Sequence, residues 1–142
     1  MSLATSLEPS APALPVSRPA RIGSYALGGF VVLFLAFDAA IKLMQLAPAM
    51  QTEQLGYPPS QVLWIGLTEA ILLVLYVVPR TSILGAIFWT GYLGGAVATH
   101  VRIENPLFTH VLFPTYVAAM LWGALWLREP RLRALVPLRS PR

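Results

Sequence analysis

Two acidic residues and one lysine stand where hydrocarbon would be expected. Glu69 is the sole charged residue in LWIGLTEAILLVLYVVP, Leu63 to Pro79. Asp38, Lys42 and Gln45 recur upstream at i, i+4 and i+7, which on a helix puts them on one face with Val31 and Phe34. A carboxylate or ammonium is costly in an apolar medium unless it finds a partner or water. Lys42 is therefore expected to bridge Asp38 and Glu69, or else one of the two acids carries a proton. Such a group can act as a buried ionic clamp that sets the register of two helices. Equally, it can form a polar site for a proton, a ligand headgroup or a quinone carbonyl.

Composition defines the medium around these residues. The chain has 142 residues, 56% hydrophobic and only 11% charged, with a mean hydropathy of +0.66. A soluble domain of this size could not hide so much apolar surface. Cysteine is absent, which excludes disulfides, thiolate metal sites and dithiol redox chemistry. The net charge of +4 does not point to nucleic acid, because the basic residues lie at chain ends and segment boundaries without aromatic interleaving.

A helix needs roughly 17–25 apolar residues to cross the hydrocarbon core. The stretches Ile22 to Gln45, Val62 to Val78, Ser82 to Val101 and Leu107 to Leu127 meet that requirement. The fold class expected is an all-α membrane protein, a bundle of four transmembrane helices over 21–128. It is flanked by a disordered Pro-rich tail over 1–20 and a basic tail over 129–142, the latter held near anionic headgroups. Arg18, Arg21, Arg80, Arg128, Arg131, Arg133, Arg139 and Arg142 fall on one side of an alternating bundle, against Lys42 and Arg102 on the other. The bias predicts that both termini are cytoplasmic.

The same alternation sets depth. At 1.5 Å per residue, Asp38 and Glu69 each lie roughly 10–12 Å below the outer ends of their helices, and so are level. Between those helices, Met50 to Leu55 reads as a short interfacial helix ended by Gly56 and stopped by Pro58-Pro59.

The third helix carries GYLGGAVATH, Gly91 to His100. Gly91 and Gly95 form a GxxxG pair continued by Gly94 and Ala98, a small-residue face expected to serve helix packing. It would also suit a homo-oligomer. His100 falls nearly opposite that face, with Leu93 and Ala96, and either joins the acid–lysine level or meets interfacial water. His110 opens the fourth helix, and Pro114 either caps a late start of that helix or kinks an early one. No metal site is expected, since no ligand pair has a spacing such as HExxH. Tyr25, Trp64, Trp122 and Trp126 read as interface anchors, and Trp89, deeper, as packing.

The order of AIKL (Ala40–Leu43), LGYP (Leu55–Pro58), GLTEAILL (Gly66–Leu73) and GYLGGAVATH resembles the DoxX-like membrane proteins over about residues 22–135. The resemblance implies a four-helix membrane bundle, mostly from bacteria, hence a multi-pass protein of the bacterial inner membrane. Lys42, Glu69, Gly94, Gly95 and His100 fall on positions of the family pattern. The family takes its name from a membrane subunit of a thiosulfate:quinone oxidoreductase. The expectation is an accessory subunit with an outer-leaflet polar pocket for a quinone or small ligand, serving a membrane redox partner rather than acting as a stand-alone enzyme. The alternatives are a small proton-coupled transporter and a structural or assembly factor. The candidate ligand or proton residues are Asp38, Lys42, Glu69 and His100.

Overall fold

The structure is a computed structural model that describes residues 16–46 and 54–135. Most of the expected interfacial helix over 50–55 lies outside those residues, as do positions 1–15 and 136–142. Helix α1 spans Arg18–Leu43, α2 Pro59–Val77, α3 Ser82–Arg102 and α4 Phe113–Arg128. A π-helical turn, Leu107–Val111, precedes α4, and a short α5, Pro130–Leu135, follows it. With the turn counted into the last, four helices are long and apolar enough to span a membrane.

Prolines mark where helices begin, because the first turn needs no N–H donors there. Pro19, Pro59 and Pro114 all occupy first-turn positions. This is why α1 and α2 start earlier than hydropathy alone suggests, at Arg18 and Pro59 instead of Ile22 and Val62. Pro114 starts a late α4, and the π turn ahead of it closes with Leu112 N–H to Leu107 O at 2.8 Å. At the end of α1, Gln45 takes φ 51°. Its N–H meets Lys42 O at 3.2 Å while Leu46 N–H meets Ile41 O at 3.0 Å, a Schellman closure. Gln45 is therefore a capping residue, exposed, and not a member of the Asp38–Lys42 face.

The helices form a ring in which each packs on its two chain neighbours and α1 closes on α4. Ser24 on α1 donates to Ala124 O on α4 at 2.7 Å, and Tyr76 on α2 donates to Leu121 O on α4 at 3.0 Å. Val31, Leu35, Trp89, Val117 and Leu121 fill the middle. Phe30, Leu33, Phe37, Ile71, Val74 and Ile87 are exposed on the outside. Helices apolar on both faces are what a bilayer solvates, so the chain is a multi-pass membrane protein surrounded by lipid.

Two glycines set the interhelical distances. A Cβ on Gly66 would lie 2.8 Å from Lys42 Cβ and 3.1 Å from Leu43 N; one on Gly85 would lie 2.5 Å from Tyr76 N. The face expected to pack, Gly91 with Gly94, Gly95 and Ala98, is instead exposed. A Cβ on Gly91, Gly94 or Gly95 would meet no atom of the described residues within 4 Å. Spacing of small residues gives a face but not its neighbour, and within this chain close approach is provided by Gly66 and Gly85.

Gly85→Ala is accordingly expected to lower stability by about 1–3 kcal/mol, because backbone cannot yield as a side chain does. Gly91→Ala on the same helix should be neutral or stabilising by up to about 1 kcal/mol, through helix propensity. Thermal unfolding of the two variants in detergent micelles measures the contrast.

Candidate functional site

The ring encloses a cavity of about 720 Å³ toward the Lys42 end of the bundle. Pockets for small ligands run roughly 300–1,000 Å³. All four spanning segments contribute walls. Asp38 and Lys42 come from α1, Ile65 and Glu69 from α2, Trp89, Tyr92, Ala96, Thr99 and His100 from α3, and His110, Pro114 and Val117 from the last segment.

Lys42 Nζ donates to Asp38 Oδ2 at 2.6 Å and to Glu69 Oε1 at 2.5 Å. The i, i+4 spacing brings Asp38 alongside Lys42 on α1, and the close approach at Gly66 brings α2 near enough for Glu69 to share the ammonium. Burial grades the three: the Glu69 side chain is 2% exposed, Lys42 12% and Asp38 34%. The Glu69–Lys42 pair thus lies in the low-dielectric interior, whereas Asp38 reaches its margin.

Tyr92 completes the group by donating its hydroxyl to Glu69 Oε1. Oε1 therefore receives two donors, from α1 and from α3. Glu69 Oε2 receives none among the described residues, although it is buried. Trp89 is fully buried in the core, as packing required, yet its indole Nε1 also lacks a partner among the described residues. Trp89 meets Tyr92 edge to face at 5.4 Å. A buried polar atom without a partner costs about 1–3 kcal/mol. Here an acceptor and a donor, both on residues that line the cavity, are left open.

His100 lines the cavity but does not bond to the acid–lysine group. Its Nδ1 accepts from Asn105 Nδ2 at 2.8 Å, which leaves the proton of a neutral ring on Nε2. Its ring lies 5.9 Å from that of His110, edge to face. Among the described residues, no three His, Asp or Glu converge in a way that could hold a metal ion.

Residues 54–58, ahead of α2, are tied to α3 at this end. Thr99 donates to Gly95 O at 2.9 Å, so Tyr57, 2.8 Å from the Thr99 hydroxyl, is the donor in that pair. Arg102 Nη2 donates to Leu55 O at 2.7 Å. Gly56 turns the chain here with φ +84°, and a Cβ on it would press on Arg102 at 3.0 Å.

Sequence reasoning missed Tyr92, Tyr57, Thr99 and Asn105, and saw in Trp89 only its packing. Tyr92 was within reach, since at 100° per residue it lies on the side of α3 that carries Thr99, about 80° from His100. Hydroxyls at such positions raise no alarm in an apolar run, unlike a lone carboxylate.

Neither a curated protein nor a solved structure matches this chain. Residues 26–124 match the model of the DoxX-like family, a stretch that runs from most of α1 through most of α4 and takes in every charged member of the cavity wall. The chain belongs to the DoxX-like family of membrane proteins.

Proposed function

We propose that this protein is an accessory subunit of a bacterial inner-membrane assembly, with both termini cytoplasmic, and that its cavity holds a quinone for a redox partner. One observation carries the reading. Two buried polar atoms on cavity-lining residues, Glu69 Oε2 and Trp89 Nε1, lack partners among the described residues, and they are opposite in hydrogen-bonding sense. A quinone carbonyl accepts from the indole N–H, and the hydroxyl of the reduced form donates to the carboxylate. A ring that alternates between carbonyl and hydroxyl matches that pair better than a simple ion does. Lys42 and Tyr92, both on Oε1, hold the carboxylate in place while it does so. The arginines crowded at the Arg80 end support the orientation, which puts the cavity toward the outer leaflet.

The test is equilibrium binding of a tail-less benzoquinone to the purified protein in nanodiscs. Saturable binding of one ring per chain is expected, and Trp89→Phe should weaken it about 5-fold, the value of one hydrogen bond near 1 kcal/mol. Absence of saturable binding would remove this reading. Substrate-dependent proton flux in liposomes would favour a proton-coupled transporter built on the same glutamate.

A further inference from the structure

Four seams bound the cavity, and three of them carry contacts that draw their helices together. Between α1 and α2, Gly66 brings the backbones together. Between α1 and α4, Phe34 and Phe113 meet edge to face at 5.6 Å. Between α3 and the segment leading to α4, His100 meets His110 edge to face, and lower down Trp122 donates to Thr90 at 2.9 Å.

The seam between α2 and α3 differs. Tyr92 spans it on the inside, and Tyr57 with Thr99 and Arg102 with Leu55 O span it at the Lys42 end. On α3, Gly91 and Gly95 are exposed on the helix surface and also line the cavity. At 100° per residue, Gly95 lies within about 60° of Tyr92 and 40° of Thr99, whereas Thr90, which meets α4, lies well away. A Cβ at either glycine would meet nothing within 4 Å among the described residues, so the space beside them is open.

We propose that the cavity opens sideways into the bilayer through the α2–α3 seam at Gly91 and Gly95, and that its ligand is a long-tailed amphiphile. The polar ring stays at Glu69 and Trp89 while the apolar tail passes the glycines and lies along α3 in lipid. The inference rests on the head site proposed above and adds the route and the tail. The glycines do not carry it alone, since Glu69 Oε2 and Trp89 Nε1, buried and without hydrogen-bond partners among the described residues, belong to side chains that line the same cavity. An opening through lipid-facing backbone is compatible with the membrane because α3 keeps its own hydrogen bonds whether or not a side chain covers them. Glycine serves here by leaving room for a tail.

The experiment uses the full chain in nanodiscs and two probes, a tail-less benzoquinone and the same ring on a long isoprenoid tail. In the Gly91→Leu/Gly95→Leu variant the long-tailed probe should lose at least 10-fold in affinity while the tail-less ring binds within 2-fold of wild type. Gly94→Leu is the control, since Gly94 is equally exposed and free of neighbours but does not line the cavity. It should change neither affinity. Unchanged binding of the long-tailed probe by the double variant overturns the lateral opening and leaves the head site standing. Failure of both probes on the wild-type protein overturns the head site itself. Unmodified protein supplies a second readout, because a photoreactive group on the tail should label α2 and α3. Labelling confined to α1 and α4 would also overturn the proposal.

Discussion

Lys42→Met is expected to be the most damaging single substitution in the bundle, lowering stability by about 3–5 kcal/mol, the usual cost of stranding one member of a buried ion pair. The ammonium is 12% exposed and serves two carboxylates at 2.5 and 2.6 Å. Methionine fills the same length of helix surface but donates nothing, so Glu69 keeps only Tyr92 among the described residues. Asp38, with a third of its side chain exposed, can turn to water or headgroups. Asp38→Asn should thus cost no more than about 1 kcal/mol. Adding Glu69→Gln to Lys42→Met should restore much of the loss, because the buried charge leaves with its partner. Unfolding in mixed micelles of the single and double variants measures the coupling. Equal losses for Lys42→Met and Asp38→Asn would contradict the grading by burial.

Glu69→Gln alone separates a sealed clamp from an open site. The amide has the shape of the carboxylate, and its oxygen can still accept from Lys42 and Tyr92, while Lys42 keeps Asp38 at 2.6 Å. The fold should therefore survive, with a loss of about 1 kcal/mol. The change falls on the other atom. Where Glu69 Oε2 is an acceptor without a partner among the described residues, the amide places an N–H₂ donor. A ligand hydroxyl that donated to a charged oxygen then faces another donor. At about 1.5–3 kcal/mol for a hydrogen bond to a charged group, affinity for a reduced ring should fall roughly 10- to 100-fold. The oxidised ring, held chiefly through Trp89, should lose less. If the variant instead aggregates in detergent while Tyr92→Phe does likewise, the carboxylate is serving the bundle alone and the site reading loses its basis.

Much of this architecture can be read along the chain because the bilayer imposes a one-dimensional rule. Backbone groups in hydrocarbon must bond within their own segment, so apolar length alone locates spans. Leu107 to Leu127 and Ser82 to Val101 were visible in that way, and α3 and α4 with its π turn end within one residue of those limits. Errors came at proline-led starts, where Arg18 and Pro59 join helices that hydropathy truncates. Gln45 was misread for a related reason, since periodicity continues on paper past a cap that φ has already turned.

The acid–lysine group was legible for a different reason. A charge in lipid demands a partner, few candidates exist, and helical rise puts Asp38 and Glu69 at one depth with Lys42 one turn away. Sequence alone thus determined the medium, the number of spans and which charges had to meet. Only the tertiary structure decided which small residues face a neighbour and which face a void, because i, i+4 spacing is the same in both cases. It assigned close approach to Gly66 and Gly85 and left Gly91 and Gly95 beside the cavity. It also left Glu69 Oε2 and Trp89 Nε1 without partners among the described residues, since satisfaction of a polar atom depends on the distances from all the surrounding helices together.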